Sequence, residues 1–281
     1  MSIGALYLVA TPIGNLNDLS PRAREVLGAA DFIAAEDTRV THKLFTALAL
    51  PPKPMVSYYE HNRRQRGEEI LARLLTGESC ALVTDAGMPA ISDPGEDMVA
   101  LAAANGVEVI PVPGCCAAVC ALAVSGLPTG RWCFEGFLSV NRKARREHLE
   151  ALKDEKRTMI FYEAPHKLRN TLDDLRAVFG DGRRIALSRE LTKLHEETLR
   201  FTLAEAVSYF VGKAPRGEFV LVLEGAPEVP PQDEDCRMET ALAEVRARMQ
   251  RGETMKDAVK AVSASAGVKK NALYQLAIDT E

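Results

Sequence analysis

The sequence predicts an α/β fold, in which two sheet-containing lobes precede a small all-helical module. Apolar runs of strand length alternate with segments of helical spacing through the first half of the chain. That alternation is typical of α/β domains with mostly parallel sheets. From Gly225 prolines and charges dominate for several residues, and only helical patterns follow. A chain of 281 residues is long enough to bury more than one core, so we expect separate domains.

Residues 1–115 are predicted to form the first α/β lobe. Its strands are the apolar runs Leu6–Ala10, Phe32–Ala35, Met55–Tyr58, Cys80–Thr84 and Val107–Val112. Its helices are the segments Pro21–Ala29, Val40–Leu48, Arg63–Leu75 and Glu96–Asn105. In the third helix, apolar residues recur at positions 70, 71, 74 and 75. This recurrence on one face is the spacing of an amphipathic helix.

Residues 116–226 are predicted to form a second α/β lobe with more varied spacing. Its strands are expected at Trp132–Gly136, Thr158–Tyr162, Arg184–Ser188 and Glu218–Glu224. Its helices are expected at Ala117–Ser125, Ala144–Leu152, Lys167–Val178 and Leu203–Phe210. The turn at Pro113 and Gly114 therefore lies near the boundary between the two lobes.

The remaining residues are predicted to form a linker and a small helical domain. Prolines and acidic residues in 227–234 are typical of a linker. Within 235–281, Gly252 and Gly267 separate three helical segments, at Arg237–Arg251, Met255–Ser265 and Lys269–Thr280. Fewer than about fifty residues of helix make a small module.

Composition excludes several classes of protein. The apolar stretches have the length of strands, so no transmembrane helix is predicted, and residues 1–4 lack the pattern of a signal peptide. The six cysteines form no C-x-x-C pair, which favours a reducing, cytoplasmic environment over disulfides or zinc. The five histidines show no H-x-x-x-H spacing, so we expect no metal site.

Three loops rich in glycine and proline each follow a predicted strand. The first begins at Thr11, the second runs from Asp85 to Gly95, and the third begins at Pro113. Ligands of open parallel sheets bind beyond the carboxyl ends of the strands, where glycine lets the backbone come close. The three loops therefore predict one extended small-molecule site. G-x-G-x-x-G, P-loop and G-x-S-x-G motifs are absent, which disfavours nicotinamide, nucleotide-triphosphate and hydrolase sites.

Five segments of the chain resemble a known family. They are Val9–Leu16, Ala35–Arg39, Asp85–Gly95, Val112–Gly114 and Phe161–His166. Together they resemble the small-subunit ribosomal RNA methyltransferase I family of the tetrapyrrole-methylase superfamily. The enzymes of this superfamily are class III methyltransferases that use S-adenosylmethionine (SAM). The resemblance runs essentially end to end, and the Asp85–Gly95 loop is its most specific part. It implies a two-lobed tetrapyrrole-methylase-like fold and a small C-terminal helix-turn-helix-like domain.

The resemblance also implies S-adenosylmethionine as methyl donor, bound between the lobes in a neutral, backbone-rich pocket. The donor-binding residues that it implies are Pro12, Ala86, Gly87, Met88, Ile91, Cys116, Ala117, Tyr162, Glu163, Leu191 and Glu218. The implied reaction is 2′-O-methylation of a decoding-region cytidine in 16S ribosomal RNA of the small subunit. A cytoplasmic homodimer without a metal or a membrane is expected.

Two departures bear on this resemblance. The first loop, from Thr11 to Asn15, lacks the G-x-G-P-G pattern of enzymes that methylate tetrapyrroles, which favours the RNA branch. Cys115 stands where that branch is expected to have proline. A methyltransferase of the same fold that acts on a tetrapyrrole or another small molecule is the alternative, and a non-catalytic RNA-binding protein is a third possibility.

The sequence leaves the catalytic base open. A ribose hydroxyl needs a proton acceptor or an electrostatic stabiliser to react well. Asp37 or Glu36 is a candidate acceptor, and Arg39 is a candidate phosphate ligand. Asp37 equally suits a helix cap, with Arg39 paired to an acid. His61 titrates in a useful range and is a further candidate, as is His166.

Basic residues cluster although the formal net charge is −4. One cluster holds Arg63, Arg64 and Arg66, and another holds Arg142, Lys143, Arg145 and Arg146. Either cluster is a solvated helix face or a contact to a phosphate backbone. Lysines 256, 260, 269 and 270 of the C-terminal helices are also predicted to contact RNA.

Overall fold

The computed structural model describes residues 3–227 and 234–279, and the chain forms two units, Met1–Ala226 and Pro227–Glu281. Most of the predicted linker, at 228–233, lies outside the described residues, as does Thr280, the predicted end of the last helix. The predicted α/β class with C-terminal helices is confirmed. The division of the first unit between residues 115 and 116 stays a prediction.

The first unit contains a five-stranded, wholly parallel sheet in the order β3-β2-β4-β1-β5. Its strands are β1 (Ala5–Val9), β2 (Phe32–Ala35), β3 (Met55–Ser57), β4 (Cys80–Val83) and β5 (Glu108–Val112). The helices between them are α1 (Pro21–Ala29), α2 (Thr38–Ala47), α3 (Arg63–Leu75) and α4 (Glu96–Ala104). The mostly parallel sheet predicted for this half of the chain is thereby confirmed.

Both faces of this sheet are covered, as expected for a parallel sheet. Every residue of β2 and of β4 is buried, which explains why these strands are continuous apolar runs. Leu6, Phe32 and Leu82 pack on one face with Ile70 of α3, and Val9, Ile33 and Val83 pack on the other face with Leu27 of α1.

A second sheet of the first unit also has five strands, in the order β6-β7-β10-β8-β9. They are β6 (Trp132–Phe137), β7 (Thr158–Glu163), β8 (Arg184–Arg189), β9 (Glu197–Thr202) and β10 (Phe219–Leu223). Only β6 and β7 are parallel, and the other pairs are antiparallel. The strand β9 was not predicted from the sequence. Its residues are partly exposed, since β9 lies at the edge of the sheet.

Four helices accompany the second sheet: α5 (Ala117–Val124), α6 (Arg142–Ala151), α7 (Leu168–Phe179) and α8 (Leu203–Tyr209). Helix α6 begins two residues before its predicted start because Asn141 caps it, accepting hydrogen bonds from the amides of Lys143 and Ala144. That earlier start places Arg142 in the first turn of α6.

The second unit is a three-helix module with its own core. Its helices are α9 (Glu234–Gln250), α10 (Met255–Ala266) and α11 (Lys270–Asp279). Val245, Val259 and Leu273 are fully buried between them. Gly267 ends α10 in the left-handed conformation, with φ of +64°, and a three-residue turn leads into α11. Lysines 256, 260, 269 and 270 are exposed on this module.

Candidate active site

The first two glycine–proline loops are joined by backbone hydrogen bonds. The Thr11 amide donates to the Gly87 carbonyl at 2.9 Å, and the Gly87 amide donates to the Thr11 carbonyl at 3.1 Å. The Thr11 hydroxyl donates to the Thr84 carbonyl at 3.2 Å. Gly87 has a φ of +95°, a conformation that other residues rarely adopt. The loops after β1 and β4 therefore form one rigid surface.

The third loop passes close to the end of β1. A Cβ atom on Gly114 would lie 2.8 Å from the Cβ atom of Ala10, so a side chain does not fit here without movement. β5 and β4 flank β1 in the sheet. The three loops therefore meet at the carboxyl edge of the first sheet, as the sequence predicts.

Tyr162, near the end of β7, contributes to the opposite wall. Its hydroxyl oxygen accepts a hydrogen bond from the amide of Ala118 at 3.2 Å. Phe134 and Phe137 contact its ring edge-on, with ring centroids 5.0 and 5.5 Å away. Burial raises the pKa of Tyr162 to about 12, so the phenol stays protonated at neutral pH.

Glu163 is a buried carboxylate with its hydrogen-bonding capacity taken up by the protein. Its side chain accepts hydrogen bonds from the Thr171 hydroxyl at 2.5 Å and from the Ala164 amide at 2.8 Å. Only 3% of the residue is exposed. The hydrogen bonds of this side chain fix the turn that follows β7 and so shape the wall of the site.

The loop after β8 completes the wall and contacts the first loop. The Thr192 hydroxyl accepts a hydrogen bond from the Asn15 amide at 3.0 Å. Glu190 and Thr192 both have positive φ values, of +51° and +64°. The ammonium group of Lys193 lies 3.0 Å from a Glu190 carboxylate oxygen. The loops after β1 and β8, which follow strands of different sheets, are thus linked directly beside the site.

These loops and strand ends enclose a cavity of about 290 Å³. All of the residues that the resemblance assigns to the donor line it except Pro12, which is not among the lining residues. Further lining residues that the assignment missed are Ile13, Asp85, Asp93, Phe137, Ala164, Ser188, Glu190, Lys193, Phe219 and Val220. The sequence signal for Asp85 and Asp93 was their place in the second loop.

The cavity is rich in carboxylates, and the expectation of a neutral pocket was wrong. Glu36, Asp85, Asp93 and Glu218 line it together. Burial raises the pKa of Glu36, and repulsion by Asp85 and Asp37 adds to this effect. Burial also raises the pKa of Asp85, to which repulsion by Asp37 adds. For Asp93, burial and then repulsion by Glu36, Asp85 and Glu218 raise the pKa to about 7. The neutral expectation counted backbone loops and overlooked the side chains that they carry.

Amide groups hold two of these carboxylates in place. The Asp37 amide donates to the Asp85 carboxylate at 3.2 Å, and the Asp85 amide donates to the Glu36 carboxylate at 3.4 Å. The ends of β2 and β4 are thereby connected through side chains as well as through the sheet.

Asp37 is the N-cap of α2, which was one of the two roles predicted for it. Its carboxylate accepts from the Arg39 amide at 2.8 Å and pairs with the Arg39 guanidinium at 2.6 Å. Hydrogen bonds from Arg39 lower the pKa of Asp37 to about 2. Neither side chain lines the cavity, and an acid with so low a pKa is a weak base. Of the predicted catalytic residues, the structure brings only Glu36 into the cavity.

The two candidate histidines lie on the surface. His61 is exposed and contacts Tyr59 edge-on, with ring centroids 6.2 Å apart. His166 is exposed in the turn before α7. Neither residue lines the cavity, so a direct role for either needs a movement of the protein or of the substrate.

Two further features bear on the class of protein. Among residues 3–227 and 234–279, no group of histidine, cysteine and acidic side chains is arranged to hold a metal ion. No helix within the same described ranges is long and apolar enough to cross a membrane.

Comparison with known proteins identifies the family. Residues 5–207 match the family model of the tetrapyrrole (corrin/porphyrin) methylases. The chain belongs to this family. It is 46% identical over 280 residues to ribosomal RNA small subunit methyltransferase I of Synechocystis sp., covering 99% of each chain. It is 47% identical over 274 residues to the protein of that name from Halalkalibacterium halodurans, covering 97% of this chain and 94% of the relative.

A solved structure confirms the fold. The chain is similar to uroporphyrin-III C-methyltransferase from Thermus thermophilus, crystallised with S-adenosyl homocysteine, with a TM-score of 0.53 and 18% identity. The match covers 78% of this chain and 97% of that chain. The predicted two-lobed tetrapyrrole-methylase fold and the predicted methyltransferase family are thus both confirmed.

Proposed function

We propose that this protein transfers a methyl group from S-adenosylmethionine to the 2′-hydroxyl of a decoding-region cytidine, cytidine 1402, in 16S ribosomal RNA. The single observation that carries the proposal is the cavity at the strand ends of both sheets, lined by the residues that the family resemblance assigns to the donor. The names of the relatives, which are ribosomal RNA small subunit methyltransferases, support the RNA substrate.

The charge of the cavity suits this donor. S-adenosylmethionine carries a sulfonium, an ammonium and a carboxylate, and therefore a net positive charge. Glu36, Asp85 and Glu218 favour a cationic ligand, and Lys193, although paired with Glu190 at 3.0 Å, brings a positive charge to the wall for the single carboxylate of the donor. The apolar rings and backbone of Phe137, Tyr162 and Ala164 suit the adenine, which is flat and weakly polar.

The bound donor supplies an electrophilic methyl carbon for an in-line displacement. The ribose oxygen forms the new bond to this carbon while the carbon–sulfur bond breaks, which leaves S-adenosylhomocysteine and a 2′-O-methyl ribose. The hydroxyl proton must leave, and we propose Glu36 as its acceptor. Burial raises the pKa of Glu36, which makes its ionised form a better base than an exposed carboxylate. Asp37, Arg39 and His61 remain candidates for positioning the RNA.

The test is methyl transfer from labelled donor to small ribosomal subunits, with the modified nucleotide mapped by alkaline hydrolysis. A 2′-O-methyl group blocks strand cleavage at its own nucleotide, so one missing band at the decoding-region cytidine is expected. A tetrapyrrole incubated with the same labelled donor tests the alternative substrate. Label in the tetrapyrrole and none in RNA would overturn the proposal, and donor binding without transfer to either would favour the non-catalytic RNA-binding alternative.

We also propose that the second unit contacts the RNA. Helices α10 and α11 and the turn between them carry four exposed lysines, at positions 256, 260, 269 and 270. Phosphate contacts of this kind depend on salt. Removal of the second unit is expected to weaken subunit binding and its salt dependence while donor affinity stays the same. Unchanged subunit binding would leave the module without this role.

We also propose that the protein is a homodimer and that it acts in the cytoplasm, where its proposed substrate is assembled. Helix α5 offers a surface for the dimer. Nearly all of its residues are apolar, yet Val119 and Val124 are 48% and 44% exposed. A helix that is apolar all round is usually buried. Light scattering is expected to give twice the monomer mass, and a monomer from Val119→Asp with Val124→Asp would support this surface. A monomeric unmodified protein would overturn the dimer.

A further inference from the structure

The sequence cluster from Arg142 to Arg146 divides into one buried and several exposed cations. Arg145 is buried, and its guanidinium donates twice to the buried Asp174 carboxylate, at 2.8 and 2.6 Å. Arg146 lies 3.4 Å and Arg142 lies 3.9 Å from the other oxygen of Asp174. Three guanidinium groups therefore share one carboxylate, and positive charge remains in excess.

These residues border a groove of about 420 Å³ between the N-terminal ends of α6 and α7. We name it the α6–α7 groove, and it is lined by Val140, Arg142, Arg145, Lys167, Asn170, Asp173 and Asp174. Asp173 is the other acid that faces it. With Arg146 beside the groove, four cations stand against two carboxylates. Arginine and lysine in such excess favour an anionic ligand.

The groove lies close to the cavity along the chain. Phe137 and Ala164 line the cavity at the ends of the parallel strands β6 and β7. Arg142 follows Phe137 by five residues and Lys167 follows Ala164 by three, so their Cα atoms lie at most about 19 and 11 Å from those wall residues. A stacked strand advances about 3.4 Å per nucleotide, so these distances correspond to a few nucleotides.

The other basic cluster of the first unit differs in charge balance. Arg63 pairs with Glu60 at 3.3 Å and with Asp97 at 3.0 Å, and Arg66 pairs with Glu69 at 2.5 Å. Each of these two arginines thus has an acid of its own. Two clusters that look alike in sequence therefore differ in the charge that is left for a ligand.

We propose that the α6–α7 groove binds the RNA backbone a few nucleotides from the methyl-acceptor ribose, with Arg142 and Lys167 contacting phosphate oxygens. This inference rests on the proposed RNA methylation and names the surface that positions the acceptor strand. Guanidinium groups donate to phosphate in a bidentate manner, and such contacts fix register without reading sequence. Arg145 and Asp174 hold the surface in place and do not need to touch the RNA.

The test compares two double variants of the full chain that remove equal charge. The groove variant is Arg142→Gln with Lys167→Gln, and the control is Arg63→Gln with Arg66→Gln. Filter binding of small ribosomal subunits is measured across salt concentrations, and donor affinity is measured by calorimetry. For the groove variant we expect roughly 10-fold weaker subunit binding and a salt slope reduced by about 1 to 2. Donor affinity is expected to be unchanged in both variants.

Equal losses of subunit binding in the two variants would overturn the proposal for the groove, because they would reflect only the overall charge of the protein. No loss in the groove variant would overturn it as well. If the groove variant melts earlier than the control, the single variant Arg142→Gln decides instead, since the Arg142 side chain is 73% exposed. Wild-type protein that neither binds nor methylates subunits would overturn the proposed function itself, whereas wild-type methylation with an unaffected variant overturns only the groove.

Discussion

The cavity and the α6–α7 groove lie beyond the same strand ends of the second sheet, yet they carry opposite charge. The cavity concentrates the carboxylates of Glu36, Asp85 and Asp93, whereas the groove has an excess of cations around Asp174. A cationic donor is favoured by the carboxylates of the cavity, and a polyanionic acceptor is favoured by the cations of the groove. Because no residue lines both regions, each can be altered without the other, and the donor and RNA parts of the proposal can be tested separately.

The greatest loss of activity is expected when a carboxylate of the cavity is replaced. Glu36→Gln removes the proposed proton acceptor and is expected to lower the single-turnover rate by a factor of roughly 10²–10⁴. Single turnover at saturating donor and RNA is the appropriate measurement, because steady-state rates can report product release. Because the pKa of Glu36 is raised, the wild-type rate is expected to rise with pH through that pKa and then level off.

The adjacent carboxylate provides the matched control. Asp37→Asn keeps the cap of α2, because asparagine caps about as well as aspartate, and loses only an exposed ion pair with Arg39, which contributes little to stability. We expect near-normal rate and stability for this variant. A loss in Asp37→Asn as large as in Glu36→Gln would place the proton acceptor outside the cavity wall.

The next effect concerns stability and tests what holds the groove. Asp174→Ala leaves the buried Arg145 without its partner and is expected to reduce the free energy of unfolding by about 3–5 kcal/mol. Replacing both residues, as Arg145→Met with Asp174→Leu, is expected to recover most of that loss. Urea unfolding measures both variants. If Asp174→Ala were as stable as wild type, the three-arginine arrangement would not be the scaffold of the groove.

The smallest effect concerns the titration of Asp93. Its pKa is about 7 in the folded protein, well above the 3.8 of an ordinary aspartate, so folding favours its protonated form. As pH rises from about 4 to 7, Asp93 ionises in the unfolded chain but stays protonated in the folded protein, so the free energy of unfolding decreases. Asp93→Asn is therefore expected to raise the melting temperature by a few degrees at pH 8 and hardly at all below pH 4.

The affinity for the donor gives a second way to measure the ionisation of Asp93. Ionised Asp93 adds negative charge to the cavity, so binding of the cationic donor is expected to tighten by a few-fold between pH 6 and 8. This pH dependence should be weaker in Asp93→Asn. An identical pH profile for both proteins would show that Asp93 stays protonated or lies too far from the positive charge of the donor.

Much of the first sheet was predictable because its sequence signals are local. The sheet was predicted from strand-length apolar runs such as those at β2 and β4. The cavity at the carboxyl ends of the strands was predicted from loops such as Asp85–Gly95. The antiparallel part of the second sheet was not predictable in this way. An edge strand such as β9 buries little of its side-chain surface, so its sequence lacks the continuous apolar run of a central strand.

The electrostatic character of the site could not be predicted from the sequence, because it depends on which side chains the fold brings together. Asp37 suits a base and a cap equally well by residue type, and only its contacts with Arg39 distinguish the two roles. Burial raises the pKa of Asp93, and repulsion by Glu36, Asp85 and Glu218, of which Glu36 and Glu218 are distant in sequence, raises it further. Arg145 looked like one member of a solvated cluster, and only its burial against Asp174 assigns it to the scaffold.

The shared carboxylate of Asp174 has a consequence for the entropy of binding. A free arginine loses rotamer freedom when it grips a ligand, at a cost of about 0.5–1.5 kcal/mol for each side chain. Arg146 lies 3.4 Å from Asp174, so it would give up less of that freedom in the proposed RNA complex than an arginine without a partner would. Arg142, at 3.9 Å and with 73% of its side chain exposed, would give up more.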